Sequence, residues 1–319
     1  MNILVNRWLK IFISIFFIGL LIFIMRNNLG NLWNCLKQTN LSYFLLAVTL
    51  FLFIVLILSI RLKRIMEIQG ISLPLSNIVY LSLIGLFFNN LLPTSVAGDF
   101  VKAYYTARYT NKVLESYTSI VVDRLLGIFA FIIIAIIALI LADKNIKTPL
   151  VTNSILLLVS FSLLLIFLIT NDFFSKKFSK FLEKIGLLEL TKTFQLFLKT
   201  IDKYKNNLKV IFFALYTSII SQIISVFIIF SLAKGLSINI SLWLIFLTLP
   251  IITAVSMLPS LNGLGIRESA YVFLLGNYLG KEKALAISIL WLGILLCVSI
   301  LGGFVYLFRD SLLTKRNDR

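Results

Sequence analysis

The sequence contains no histidine, which removes the commonest metal ligand and the usual general base near neutral pH. It has two cysteines, Cys35 and Cys297, whose spacing fits neither a disulfide framework nor a metal site. Catalytic residues, metal and cofactor are therefore not expected. Acidic residues are scarce too, with 13 Asp+Glu against 30 Lys+Arg and a net charge of +17. Five prolines interrupt the chain, so a proline inside an apolar run carries information.

What is abundant is apolar. Of the 319 residues, 60% are hydrophobic and the mean hydropathy is +1.01, against ~45–50% apolar residues in a soluble domain. The composition predicts an all-α polytopic membrane protein. A span takes ~20 apolar residues, and only helices satisfy the backbone of such runs in lipid. In a soluble chain the basic excess would suggest nucleic acid. In a membrane protein it orients helices and attracts anionic headgroups. The expected partners are membrane lipids and not nucleic acid, with a homo-oligomer or a separate lipid-modifying enzyme as further candidates. Arg7 and Lys10 before Ile11–Met25 resemble a signal sequence, but no small-residue cleavage site follows, so a retained first helix is expected.

Charge-free runs cover 11–25, 38–60, 68–98, 125–142, 148–171, 210–233, 235–266 and 284–308. The runs 68–98 and 235–266 are too long for one helix, and both end in a broken motif. The first reads Leu92-Pro93-Thr94-Ser95-Val96-Ala97-Gly98-Asp99, then Lys102-Ala103-Tyr104. The second reads Leu258-Pro259-Ser260-Leu261-Asn262-Gly263-Leu264-Gly265-Ile266-Arg267-Glu268, then Ala270-Tyr271. Pro93, Gly98, Pro259, Gly263 and Gly265 are the expected turn and flexing points.

Charge counting bears on topology. Setting aside Arg124, Lys209 and Arg267 leaves 27 basic residues. If every run crosses, 12 fall inside and 15 outside, against the rule that basic residues favour the cytoplasm. If both broken segments are re-entrant hairpins, about 76–112 and about 241–280, only seven stay outside: Arg26, Lys37, Lys144, Lys147, Lys234, Lys281 and Lys283. The hairpin arrangement is expected, with N- and C-termini cytoplasmic in the cell membrane. It divides the chain into two repeats, 1–147 and 148–319, each with three transmembrane helices and one hairpin. That makes about six full spans, with the second repeat inverted. Inverted repeats with broken helices meeting at the midplane are an architecture of secondary transporters. Residues 171–207, with Phe174, Phe178 and Phe181 between lysines, read as a basic amphipathic helix on the inner leaflet or as a solvated linker.

A charge at mid-bilayer costs about 2.5–3.5 kcal/mol on insertion scales, so charges kept there face a cavity or a partner. Asp99 and Lys102 share a helix face, and Tyr104 and Arg108 follow on the same segment. Asp123-Arg124 opens the next run, one of the pair being expected to reach Asp99 or Lys102. Free amides after Gly263-Leu264-Gly265 would form an anion site, with Arg267 adding a planar donor fork. The alternatives are an interfacial helix over 98–112, a helix-end pair at 123–124, and local pairing of Arg267 with Glu268. Asn90 and Asn262 are read as uncharged polar lining. Together Asn90, Asp99, Lys102, Tyr104, Arg108, Asp123, Arg124, Asn262, Arg267 and Glu268 are the candidate substrate-binding residues.

Pro93, Gly98, Asp99, Lys102, Asp123-Arg124, Pro259 and Gly263-x-Gly265-x-Arg267-Glu268 resemble, in order, the transmembrane region of lysylphosphatidylglycerol synthase/flippases. Asp123 stands where that family often has Glu, and Asn262 where it often has Gly. The resemblance implies movement of a phospholipid or lipid-linked headgroup between leaflets. Bifunctional members carry a soluble aminoacyl-transfer domain beyond the membrane region, so aminoacyl-lipid synthesis is not expected of these 319 residues. The expected function is a non-enzymatic lipid flippase or transporter working by alternating access on an anionic phospholipid or lipid-linked phosphate headgroup. A membrane-embedded transferase on a lipid-linked substrate and a scaffold subunit are the alternatives.

Overall fold

The computed structural model describes residues 33–34, 36–91, 97–142, 148–170, 177, 200, 203–204, 206–258 and 263–307. Among them are nine helices: α1 Leu41–Ile68, α2 Leu75–Leu91, α3 Ala97–Thr110, α4 Val113–Leu141, α5 Pro149–Thr170, α6 Leu208–Gly235, α7 Leu242–Ser256, α8 Ile266–Leu279 and α9 Lys281–Leu307. The described residues contain no strand. The expected first helix, Pro93, Pro259, Asn262 and most of 171–207 lie outside the described residues.

Helices α1, α4, α6 and α9 are long and apolar enough to cross a membrane. Several helix ends follow from local chemistry. Asn40 opens α1 by accepting the Ser42 amide, the N-cap bond that satisfies an orphan donor. Gly70 leaves α1 at φ +71, and Pro74 precedes α2. Asn111, a residue tolerant of the left-handed region, turns α3 into α4 at φ 55. Gly280 does the same between α8 and α9 at φ 90.

The two long breaks fall where the sequence places them, each ending an apolar run and separating two short helices. Helices α2 and α3 have 17 and 14 residues, and α7 and α8 have 15 and 14. At 1.5 Å per residue these are about 21–26 Å long, short of a ~30 Å hydrocarbon core. The start and end of the first pair meet, since Lys112 Nζ donates to the Gly70 carbonyl at 2.8 Å.

The order long, short, short, long occurs twice at a nearly constant offset. Residues 41, 75, 97 and 113 begin the first set, and 208, 242, 266 and 281 the second, 167 to 169 residues later. The packing repeats with the order. Helix α2 packs on α1, α3 and α9, and its counterpart α7 packs on α6, α8 and α4. Helix α3 packs on α4 as α8 packs on α9, α1 on α4 as α6 on α9, and α4 on α6 as α9 on α1. At the centre α1 and α6 pack on each other and run antiparallel. The Asn40 amide at one end of α1 donates to Gly235 O at 2.9 Å, while Arg61 near the other end reaches Ser218. Around this pair lies the main apolar core, which includes Phe51, Ile54, Val226, Ile229, Leu247 and Ile294.

Glycine sets the closest helix contacts. A Cβ on Gly98 would lie 2.0 Å from Gly85 O, and one on Gly302 would lie 2.1 Å from Leu83 O. Helix α2 is thus gripped by α3 on one side and α9 on the other. Gly98, expected in the turn, lies inside the first turn of α3 and acts through packing.

Candidate functional site

Helix α4 begins at Val113 rather than near 125, because Leu114, Ile120 and Val122 continue the apolar pattern through the polar residues between them. Asp123-Arg124 therefore does not open the helix. Arg124 stands eleven residues inside it, about 16 Å from its first turn. Successive helical residues point about 100° apart, so Asp123 and Arg124 enter different networks.

Arg124 Nη1 pairs with Asp99 Oδ2, and Lys102 Nζ takes the other carboxylate oxygen at 2.7 Å. The expected link from 123–124 across the hairpin is thus made by Arg124 to Asp99. This triad is partly accessible, with side chains 14% (Asp99), 17% (Lys102) and 29% (Arg124) exposed. One helical turn beyond Lys102 on α3, the buried Thr106 hydroxyl has no hydrogen-bond partner among the described residues.

Asp123 turns to the centre. Its Oδ1 accepts from Arg61 Nε at 2.7 Å, and Arg61 Nη1 donates to Ser218 Oγ at 2.6 Å. Three helices, α1, α4 and α6, are joined through one buried guanidinium. Reading the sequence missed Arg61 as a site residue, counting it among cytoplasmic charges with Lys63 and Arg64. The available signal was the apolar spacing that continues past it: Leu62, Ile65 and Met66 are all buried, which places the buried face of α1 beyond Arg61. The same seam holds Ser119 and Tyr204, whose hydroxyls are 3.2 Å apart. Gln69 donates to Thr200 O at 2.9 Å.

The third cluster closes on itself. Arg267 Nε and Nη2 both donate to Glu268 Oε1, at 3.0 and 2.6 Å. Glu268 Oε2 accepts the Gly265 amide at 2.6 Å. The chain's own carboxylate therefore takes the Gly265 amide at the N-cap. The Arg267 amide, one of those expected to form an anion site, donates to Gly263 O at 2.8 Å, and the local-pairing alternative holds. Gly263 and Gly265 adopt φ +76 and +79, conformations that a Cβ disfavours. Arg61, Asp123, Arg267 and Glu268 are the buried charged residues among those described, and they form two pairs of opposite sign.

Three candidates sit elsewhere. Tyr104 and Arg108, four residues apart, are exposed on α3, away from the side that carries Asp99, Lys102 and Thr106. Tyr104 instead helps line a cleft of about 540 Å³ with Phe88, Phe100, Tyr105, Tyr117 and Tyr306. Asn90 ties α2 to α9, donating to Leu295 O at 3.3 Å, and its neighbour Asn89 caps α3 by accepting the Gly98 amide at 2.7 Å. An apolar groove of about 250 Å³ runs between α4, α5 and α7, with Phe131, Ile155, Pro250 and Met257 among its walls. Among the described residues no group of His, Cys, Asp and Glu could hold a metal.

Comparison with known proteins places the chain. It is 28% identical over 262 residues to a UPF0104 membrane protein of Methanocaldococcus jannaschii, covering 77% of this chain and 73% of that one. It is 25% identical over 151 residues to a UPF0104 membrane protein of Methanothermobacter thermautotrophicus, covering 45% of each. No solved structure matches it. The family model for the lysylphosphatidylglycerol synthase TM region matches residues 7–303. The chain belongs to the lysylphosphatidylglycerol synthase TM region family, as the order of its proline, glycine and charged motifs implies.

Proposed function

We propose that this membrane protein is a lipid flippase or related transporter, moving an anionic phospholipid or lipid-linked phosphate headgroup between leaflets by alternating access without chemical turnover. The observation that carries the reading is the pairing of two matched halves through antiparallel α1 and α6. Opposed directions of equivalent helices are what an inverted repeat requires. The exchange of packing partners between the halves supports the same relation. The short α2–α3 pair, with its two ends bridged by Lys112 and Gly70, supports a hairpin that returns to its own side. In this arrangement the termini are cytoplasmic in the cell membrane, and charged residues on α3 and α4 stand at membrane depth.

Transport by such a fold is a rocking of one half against the other around a central site. Arg61 sits on that divide, held by Asp123 of its own half and donating to Ser218 of the other. Asp123 and Arg124 are neighbours on α4, so a headgroup that draws Arg124 away from Asp99 also loads the Arg61–Ser218 contact. This gives one helix turn a part in both the binding site and the interface.

The test is a leaflet-specific assay in reconstituted liposomes with a fluorescent phosphatidylglycerol. Protein-dependent transfer without consumption of a radiolabelled lipid donor is the expected result. Turnover of the donor would favour a transferase, and neither transfer nor turnover would leave a scaffold.

A further inference from the structure

We infer that Lys102 and Arg124 form the seat of a phosphate or phosphodiester anion, that Asp99 is the internal counter-anion this ligand displaces, and that the described residues of the second half carry no matching seat. The inference rests on the transport reading for its lipid substrate, but its chemistry comes from the charges themselves.

Three charged clusters lie on the helices that carry the broken motifs and the central seam. Arg61 faces Asp123 and Arg267 faces Glu268, one cation to one carboxylate in each case. At the third, Lys102 and Arg124 share, among the described residues, the single carboxylate of Asp99. Two positive charges against one negative leave a surplus of +1, eleven residues inside a helix long and apolar enough to span. Unmatched charge in a low-dielectric setting is expensive and marks a functional site by default. The group that relieves a positive surplus is an anion, and the planar guanidinium fork of Arg124 beside the Lys102 ammonium suits a phosphate.

Accessibility points the same way. Side chains of the two neutral pairs are 5% and 13% exposed (Arg61, Asp123) and 5% and 7% (Arg267, Glu268). Those of the surplus cations are 17% and 29% exposed. A ligand can reach the Lys102 and Arg124 side chains without opening the packing. Thr106 supplies an independent observation: its hydroxyl is fully buried and without a partner among the described residues. It lies one turn from Lys102 on the same face of α3, and a phosphate oxygen that enters as Asp99 is displaced would accept its proton. A buried hydroxyl left unpaired costs about 1–3 kcal/mol, and a ligand that accepts from it removes that penalty.

The other half lacks these parts. At the 167-residue offset that joins Gly98 to Gly265 and Ala103-Tyr104 to Ala270-Tyr271, Lys102 corresponds to Ser269, and at the 168-residue offset of α4 and α9 Arg124 corresponds to Leu292. Arg267 has no surplus charge to offer, because its guanidinium is paired one to one with Glu268 through Nε and Nη2. The repeat in the fold is therefore not a repeat of the site among the described residues.

The test measures equilibrium binding to the purified full chain in neutral detergent, with short-chain phosphatidylglycerol, inorganic phosphate and an uncharged diacylglycerol as separate probes. Lys102→Gln and Arg124→Gln are expected to weaken phosphatidylglycerol binding about tenfold each, the effect of ~1.4 kcal/mol. Asp99→Asn is expected to tighten it, because the counter-anion is gone. Lys102→Arg keeps binding within a few fold, and Lys234→Gln, an equal charge loss far along α6, leaves it unchanged. Thermal unfolding of each variant separates a lost site from a lost fold. The opposite sign of Asp99→Asn and Lys102→Gln is the decisive result. If Asp99→Asn weakens binding, or all three variants bind as wild type does, the seat is overturned while transport by the wild type still stands. If wild type neither binds nor moves phosphatidylglycerol but binds inorganic phosphate with that pattern of signs, the seat holds for free phosphate and the lipid reading fails.

Discussion

In the first broken pair, α2–α3, a glycine-to-backbone contact holds the helices together and the charges are left partly open. In the second, α7–α8, glycines shape the turn and the charges are buried and spent on one another. Gly98 presses on Gly85 O, whereas Gly263 and Gly265 act through positive φ. Asp99 serves two cations, whereas Glu268 serves one cation and one backbone amide. Two segments with the same place in the fold and similar motifs have been put to different uses. One keeps its charge available, and the other uses its charge to fix a helix start.

The largest way to break this contrast is at the closed cluster. Arg267→Leu strands a buried Glu268, and loss of one partner of a buried pair costs about 3–5 kcal/mol. The unfolding midpoint in detergent should fall accordingly, and Arg267→Leu/Glu268→Leu should recover only part of it, since the Gly265 amide also loses its acceptor. A midpoint within error of wild type for Arg267→Leu would mean that the cluster is open, like the first. Gly98→Ala comes next. Its methyl must push two backbones apart, and overpacking of this kind costs about 1–3 kcal/mol. Gly265→Ala forces a Cβ into the left-handed region, about 1–2 kcal/mol, so it should be milder than Gly98→Ala in the same melt. The reverse order would put the turn above the helix contact. The smallest stability change is expected for Lys102→Gln, under ~1 kcal/mol, because Asp99 keeps Arg124. Its effect should appear in binding and not in the melt.

Much of this architecture was legible in the chain. Runs too long for one helix and too polar at their ends to continue announced two helix pairs, and their bounds agree with α2–α3 and α7–α8 to within a few residues. The link from 123–124 to the hairpin was legible as well, since Arg124 meets Asp99. Charge position along the chain was a poorer guide to partners. Arg61 reads as the first of three basic residues ending a span, yet it is buried while Lys63 and Arg64 pair with Glu67 at the edge. Tyr104 and Arg108 fall near Lys102 in sequence but on another side of α3. Adjacency in sequence places residues on one helix and does not choose which neighbour each will face.

Sequence alone determined that this protein is helical and lives in a membrane, because 60% apolar residues in runs of span length leave no other way to satisfy the backbone. It also determined where two of the runs break, because proline followed by clustered glycine and small polar residues ends each of them, whereas Pro250 alone does not interrupt α7. Only the tertiary structure decided which charges cancel. Ion pairing depends on which faces of α1, α3, α4 and α6 come together, and that choice belongs to packing between helices distant in the chain. Asp123 found Arg61 across 62 residues and, through it, Ser218 across 157 more. The surplus charge at Lys102 and Arg124 is what remains once those pairs are made.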